Sequence, residues 1–396
     1  MIESILIFAR STPHHRTGGM ETVAWSLATQ WARSVGDVRI VTTAIPAARA
    51  PFTEDGVRVV PLSGTRPGDY SAAWWDGSRT YWSSVDAAPD VVLSVSAGAY
   101  SVVQERKRHP GTPFVMQAHG TSAMEIGSKL RAHDLRSLAT APKNVLGLVR
   151  DIARYRDFDR IVAVGDKVAE SLAARPQSWA VPAERIRLIP NGVRAGDHGF
   201  DARSRAEVRG ALGIDDLTSV VACVGRLHVQ KRVDRALRAA AALRDRGHAD
   251  RFAFLIVGDG PDQDRLRDLA RELGLQDTVR FVGRVRPDDV RGYHAAADVA
   301  LLTTARLEVG LPMVALEALA CGLPCVVPTG SYGSPALDPV LHQADPADPG
   351  RLADLLHEVT RVRGPRTSLL PAEFTLERCA ESYLATFGDL VSAARP

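Results

Sequence analysis

Short unbroken apolar runs alternate along this chain with longer stretches whose apolar positions recur every three to four residues. "SILIFA", "DVRIVTTA", "PDVVLSVSA", "TPFVMQAHG" and "DRIVAVG" punctuate the first half, and "TSVVACVG", "RFAFLIVGDG", "TVRFVG", "ADVALLTT" and "LPCVVPTG" the second. Val/Ile/Leu runs without intervening polar positions suit parallel strands buried on both faces. The amphipathic stretches between them, such as "METVAWSLATQWARSVG", predict crossover helices. The pattern predicts an α/β fold built from doubly wound parallel sheets.

The rhythm breaks in "IRLIPNGVRAGDHGFDARSRAEVRGALGIDD", where Pro190, Asn191 and Gly192 make a turn and a polar, glycine-containing stretch follows. Two Rossmann-like domains are expected, 1–196 and 197–372, with ligands at the carboxyl ends of the strands in a cleft between the halves. The remaining segment, 373–396, holds "TLERCAESYLATFGDLVSAA", a helical pattern with no strand after it.

Composition narrows the class. At 396 residues the chain exceeds one ordinary core, and 45% hydrophobic with 24% charged residues is the balance of a soluble globular protein. Its 49 basic and 46 acidic residues are interspersed, for a net charge of +3, which excludes a dedicated nucleic-acid binder. Cys223, Cys321, Cys325 and Cys379 show no metal-ligand spacing and are expected as buried free thiols. The opening "MIESILIFAR" suits a first strand better than a signal peptide, and no run approaches the roughly 20 apolar residues of a membrane span, so a cytoplasmic location is expected. The basic, amphipathic "KNVLGLVRDIARYRDFDR" reads as a core-facing helix, with weak membrane-surface contact or acceptor docking as the other reading. "DFD" at 157–159 and "DQD" at 262–264 resemble metal sites only superficially, and no metal site is expected.

Chemistry concentrates at strand ends. In "VACVGRLHVQKRVDRAL" a strand ends at Gly225, followed by Arg226 and then Lys231 at a helix start. Two cations beside a helix N-terminus can grip a diphosphate, although surface cations at a helix start give the same pattern. In "GLPMVALEA", Gly310, Leu311 and Pro312 precede a helix carrying Glu317; a proline there costs no hydrogen bond, and a carboxylate farther along can accept from a ribose diol or simply face solvent. Gly18 and Gly19 lie between the first strand and its helix, where backbone can approach a phosphate or merely turn. His119 and Gly120 end a strand, a place for ligand contact or proton handling. "IVGDGPD" has no third glycine of a dinucleotide fingerprint, which disfavours a dehydrogenase.

Taken in order, "TGGMETV", "HGT", "IRLIPNGV", "VGRLHVQKR", "IVGDGP", "VRFVGRV", "AAADVALLTT" and "GLPMVALEALACGLPCVV" resemble the family-4 retaining glycosyltransferases of the GT-B fold. The resemblance spans nearly the whole chain. It implies a nucleoside-diphosphate-sugar donor, with no obligatory cofactor, in the C-terminal half. Arg226 and Lys231 would hold the diphosphate, Glu317 the ribose, and the backbone at Arg284 and Val285 the base. Gly225 and the Gly310-Leu311-Pro312 turn would bring backbone to the phosphates, and Gly18 and Gly19 would do so from the other half. His119 would neighbour the transferred sugar, and the last helix would cross back onto the N-terminal domain.

One departure stands out. The family's first glutamate, eight positions before Glu317, would fall on Val309, whereas the sequence places Glu308 one residue early. Either a shifted backbone lets Glu308 reach the sugar, the reading adopted for catalysis alongside His119, Arg226 and Lys231, or the contact is lost. The acceptor is expected to be a small polar molecule, as in natural-product biosynthesis; Trp74, Trp75, Tyr81 and Trp82 could stack on its ring face or equally pack in the core of a helix pair. A cell-envelope or lipid-linked glycan, or a nucleotide-sugar-binding protein impaired in transfer, are the alternatives.

Overall fold

The structure is a computed structural model that describes the chain apart from residues 1, 16–17, 49, 125, 127–140, 249–250, 305–309, 331–333, 363, 365 and 395–396. The chain divides into two compact units, Met1–Gly192 with Leu376–Pro396, and Val193–Thr375.

The first unit carries eight strands: β1 (Ser4–Phe8), β2 (Asp37–Thr43), β3 (Phe52–Glu54), β4 (Val57–Leu62), β5 (Val91–Val95), β6 (Phe114–Ala118), β7 (Arg160–Ala163) and β8 (Ile186–Leu188). Their order is β3-β4-β2-β1-β5-β6-β7-β8, and every neighbouring pair is parallel except β3 with β4. Helices α1 (Gly19–Trp31), α2 (Ala72–Ser83), α3 (Ala141–Tyr155) and α4 (Asp166–Ala173) belong to it.

The second unit has β9 (Ser219–Val224), β10 (Phe252–Val257), β11 (Val279–Gly283), β12 (Val299–Leu301), β13 (Cys325–Pro328) and β14 (Leu341–Ala344), all parallel, in the order β11-β10-β9-β12-β13-β14. Beside a single turn at Ala195–His198, its helices are α5 (Ala202–Leu212), α6 (Val233–Leu243), α7 (Gln263–Glu272), α8 (Val290–Ala296), α9 (Met313–Ala320) and α10 (Pro349–Arg361). The chain starts this sheet in the middle and reverses direction between β9 and β12, the switch point where doubly wound sheets bind ligands.

Burial explains the unbroken apolar runs. Phe252, Phe254 and Ile256 of β10 pack in one core with Leu237 and Leu356, while Ala253, Leu255 and Val257 pack in a second with Leu316 and Leu319. With both faces covered, each strand position is apolar, and each Leu or Phe side chain so buried contributes about 1.5–3 kcal/mol. All four cysteines are buried and free. Asp159 binds Arg106, and Asp262 binds Arg265, so both acidic triplets serve ion pairs.

Helix α11 (Leu376–Ala394) completes the first unit, where it packs on α1. Trp31 Nε1 donates to the Ala380 carbonyl at 3.1 Å, and the Trp31 ring meets those of Tyr383 and Phe387 at 5.6 Å each.

Candidate functional site

At the β9/β12 switch point of the second unit, the backbone is knitted from three strand ends. Gly225 takes φ +146, a conformation open to glycine, and its N–H donates to the Val257 carbonyl at 2.9 Å. Leu227 N–H donates to Asp259 O at 2.8 Å, and Gly258 N–H to Gly283 O at 2.8 Å. The "VGDG" glycines permit this closeness. A Cβ on Gly258 would stand 2.0 Å from the Gly225 carbonyl oxygen, and one on Gly260 2.2 Å from that of Leu227. The Gly-x-Gly thus serves backbone packing beside the site.

This scaffold presents Arg226. Lys231 ends a 3₁₀ turn, Val229–Lys231, whose first N–H groups are capped by His228, with Gln230 N–H donating to His228 Nδ1 at 3.3 Å. Arg232 follows at φ +50 and forks onto Asp234 with two bonds of 2.9 Å. Two hydroxyls at the end of β12 hold the turn: Thr303 Oγ1 lies 3.0 and 2.8 Å from the carbonyls of Lys231 and Arg232, and Thr304 Oγ1 3.2 Å from that of Gln230. Gly225, Arg226, Lys231, Thr303, Thr304 and Val314 line one pocket. The threonines were not among the residues singled out in the sequence; the only signal for them is a polar pair closing a buried strand.

Val314 belongs to the first turn of α9, which has Pro312 at its N-cap and no side-chain cap. Its opening N–H groups are therefore available to an anion. Leu311 is buried in the core beneath, and Gly310 precedes it. Glu317 lies farther along α9, outside the pocket lining, and burial pushes its carboxyl up to about 7. Arg284, after β11, donates from Nε to Asp259 Oδ2 at 2.9 Å, which ties it to the glycine loop, while Val285 packs against the core. Glu308 and Val309 lie outside the described residues.

In the first unit, Gly18 caps α1 in an extended conformation and Gly19 opens the helix. The Glu21 carboxylate folds back so that a Cβ on Gly18 would stand 2.5 Å from Oε2, and its Oε1 accepts from Ser11 Oγ at 2.7 Å. His119, at the end of β6, has Nε2 2.9 Å from Gln117 Oε1. Burial lowers its pKa to about 4, against an upward pull from Glu21. Gly18, Glu21 and His119 thus form a second group of candidate residues.

Of the two readings of the aromatic stretch, core packing holds for Trp74 and Trp82. Trp74 and Trp82 are fully buried, donating to the carbonyls of Gly98 and Glu105, and so are unavailable to an acceptor. Tyr81 packs edge-on against Phe8, and Trp75 stacks on Tyr70 with centroids 5.2 Å apart. Helix α3 turns Asp151 and Tyr155 inward but leaves Leu146 and Val149 exposed.

With two doubly wound units and a cationic pocket at a switch point, the class is that of sugar-nucleotide enzymes, and sequence comparison agrees. Residues 18–192 match the family described as "Glycosyl transferase 4-like domain" and residues 204–337 match "Glycosyl transferases group 1". The chain belongs to the family-4 glycosyltransferases of the GT-B fold, enzymes that take their sugar from a nucleotide donor. It is 30% identical over 413 residues to a D-inositol 3-phosphate glycosyltransferase of Salinispora arenicola, covering 96% of this chain and 89% of that one. It is also 30% identical over 286 residues to a GDP-mannose-dependent alpha-(1-6)-phosphatidylinositol monomannoside mannosyltransferase of Mycobacterium tuberculosis, covering 64% and 71%. Among solved structures, sucrose-phosphate synthase from Thermosynechococcus elongatus superposes with a TM-score of 0.77 at 18% identity, covering 98% and 99% of the two chains. Anabaena HepE in complex with UDP and glucose does so with 0.69 at 17%, covering 98% and 100%. No helix among the described residues is long and apolar enough to cross a membrane.

Proposed function

We propose that the chain moves a hexosyl group, with retention of anomeric configuration, from a UDP- or GDP-linked donor to a hydroxyl of a small anionic polyol. The observation that carries the donor half is the meeting of Arg226 and Lys231 in the pocket at the β9/β12 switch point. As the glycosidic bond breaks, charge grows on the departing diphosphate, so fixed cations and helix N–H groups stabilise the transition state more than the ground state. Glu317 is assigned to the ribose diol and the backbone at Arg284 and Val285 to the base. Gly18 and Gly19 are assigned to the phosphates, His119 to the transferred sugar, and Glu308 to that sugar's hydroxyls.

The anionic acceptor is supported by the first unit. Arg10 lies over the Tyr70 ring at 5.0 Å, and Arg150 over Trp75 and Tyr100 at 5.7 and 5.8 Å. Among the described residues neither arginine has a carboxylate partner: Asp151, beside Arg150, accepts instead from Tyr100 Oη at 2.9 Å and Ser122 Oγ at 2.7 Å. The rings are covered by one another and by the arginines, and the guanidiniums they hold suit an anionic acceptor. The inositol-phosphate relatives point the same way. The exposed Leu146 and Val149 near Arg150 favour a lipid-linked acceptor as the second reading.

Mass spectrometry of reactions pairing UDP- and GDP-linked hexoses with inositol, inositol phosphates, phosphatidylinositol and an uncharged aglycone tests this. Transfer to an inositol phosphate, with KM raised about tenfold or more in Arg150→Ala, is expected. Preference for the uncharged aglycone contradicts the acceptor chemistry, preference for phosphatidylinositol supports the lipid reading, and nucleotide binding without turnover contradicts transfer.

A further inference from the structure

A chain of three side chains in the first unit ends on His119. Gln117 and His119 stand two residues apart on β6 and its continuation, hence on one face. Tyr383 of α11, 266 residues away, reaches the same place, and the Gln117 side-chain Nε2 donates to Tyr383 Oη at 2.9 Å. Both residues are buried. With its nitrogen so engaged, Gln117 presents Oε1 to His119 Nε2, 2.9 Å away. An amide oxygen only accepts, so the contact calls for a proton on Nε2. Burial keeps the ring neutral near pH 7, and a neutral imidazole has one ring proton to place.

We propose that Tyr383, acting through Gln117, is a positioning residue that fixes His119 in its Nε2–H tautomer and leaves Nδ1 to accept a hydrogen bond from a hydroxyl of the transferred sugar. The sugar contact rests on the assignment of His119 made above. In the other tautomer Nδ1 would carry hydrogen and could no longer accept a hydroxyl proton. The clamp on Tyr383 is stiff: its ring lies against Trp31 and Phe387, and Trp31 is bonded to the α11 backbone. Helix α11 thereby acts on a residue in the first third of the sequence.

The test uses the full chain with ¹⁵N-labelled histidine and long-range ¹H–¹⁵N correlation, the His119 signals being assigned by their loss in His119→Asn. Wild type is expected to show Nε2 protonated and Nδ1 bare. Tyr383→Phe removes the acceptor of the Gln117 amide, lets it turn, and yields mixed tautomers. The kcat for sugar transfer should fall about five- to tenfold while UDP or GDP Kd stays within about twofold. Gln117→Leu cuts the same link and should give the same result if Tyr383→Phe fails to fold. A proton on Nδ1 in wild type, or one unchanged tautomer in both variants, overturns the relay. Mixed tautomers with unaltered kcat overturn the sugar contact. A wild type with the expected tautomer but no turnover of any donor counts against the transfer reading itself.

Discussion

Glu317, proposed above to hold the ribose, is a buried acid whose charge depends on pH. Burial raises its carboxyl to about 7 in the free protein, above the ordinary glutamate value. Below that pH the group is a neutral acid with reduced capacity to accept; above it, a carboxylate can take both hydroxyls of a ribose. Nucleotide affinity should therefore rise with pH through 7 in wild type and stay flat in Glu317→Gln, which calorimetry at pH 6 and pH 8 would show. The stability sign is opposite. A raised folded pKa means that ionisation costs stability as pH climbs from the unfolded value towards 7. Glu317→Gln should melt higher than wild type at pH 8, with the gap closing as pH falls below the unfolded value. A variant that binds worse yet stands more firmly would mark Glu317 as a group retained for binding.

At the scale of elements, the site is a junction of strand ends. Gly260 takes φ +156 with the Leu227 carbonyl in the space of its missing Cβ, so Gly260→Ala faces both backbone strain and overlap with backbone. It should lose about 2–4 kcal/mol in urea denaturation. Thr303→Val keeps the side-chain shape just after β12 but frees the Lys231 turn; donor KM should rise several-fold with little change in melting temperature, since a hydroxyl bond is worth about 1 kcal/mol. An unchanged KM would show that the turn holds itself. The elements legible in the sequence were those buried on both faces, such as β9 and β10. The short β8 and β14 and the hairpin partner β3 carry exposed positions that dilute the apolar pattern. Local motifs were legible for the same reason that strands were: Gly225, Arg226 and Lys231 lie within one turn of chain. Thr303 to Lys231, 72 residues apart, and Tyr383 to Gln117 were not, because only the fold brings them together.

For the whole molecule, two sheets with the same central reversal of strand order place chemistry on loops at strand ends, and the frame beneath is apolar on both faces. The aromatic stretch at 74–82 divides between core and surface. Trp74 and Trp82 fill the core, leaving Tyr70 and Trp75 with two arginines over or beside their faces. In the proposed donor site the diphosphate of a sugar nucleotide is held by Arg226 and Lys231. Titration calorimetry with UDP and GDP on wild type and on the Arg226→Ala/Lys231→Ala double variant tests it most directly. Loss of either cation should cost on the order of 3 kcal/mol in the transfer barrier, and the double variant should bind its nucleotide at least about a hundredfold more weakly while melting like wild type. Equal affinity in wild type and double variant would contradict it.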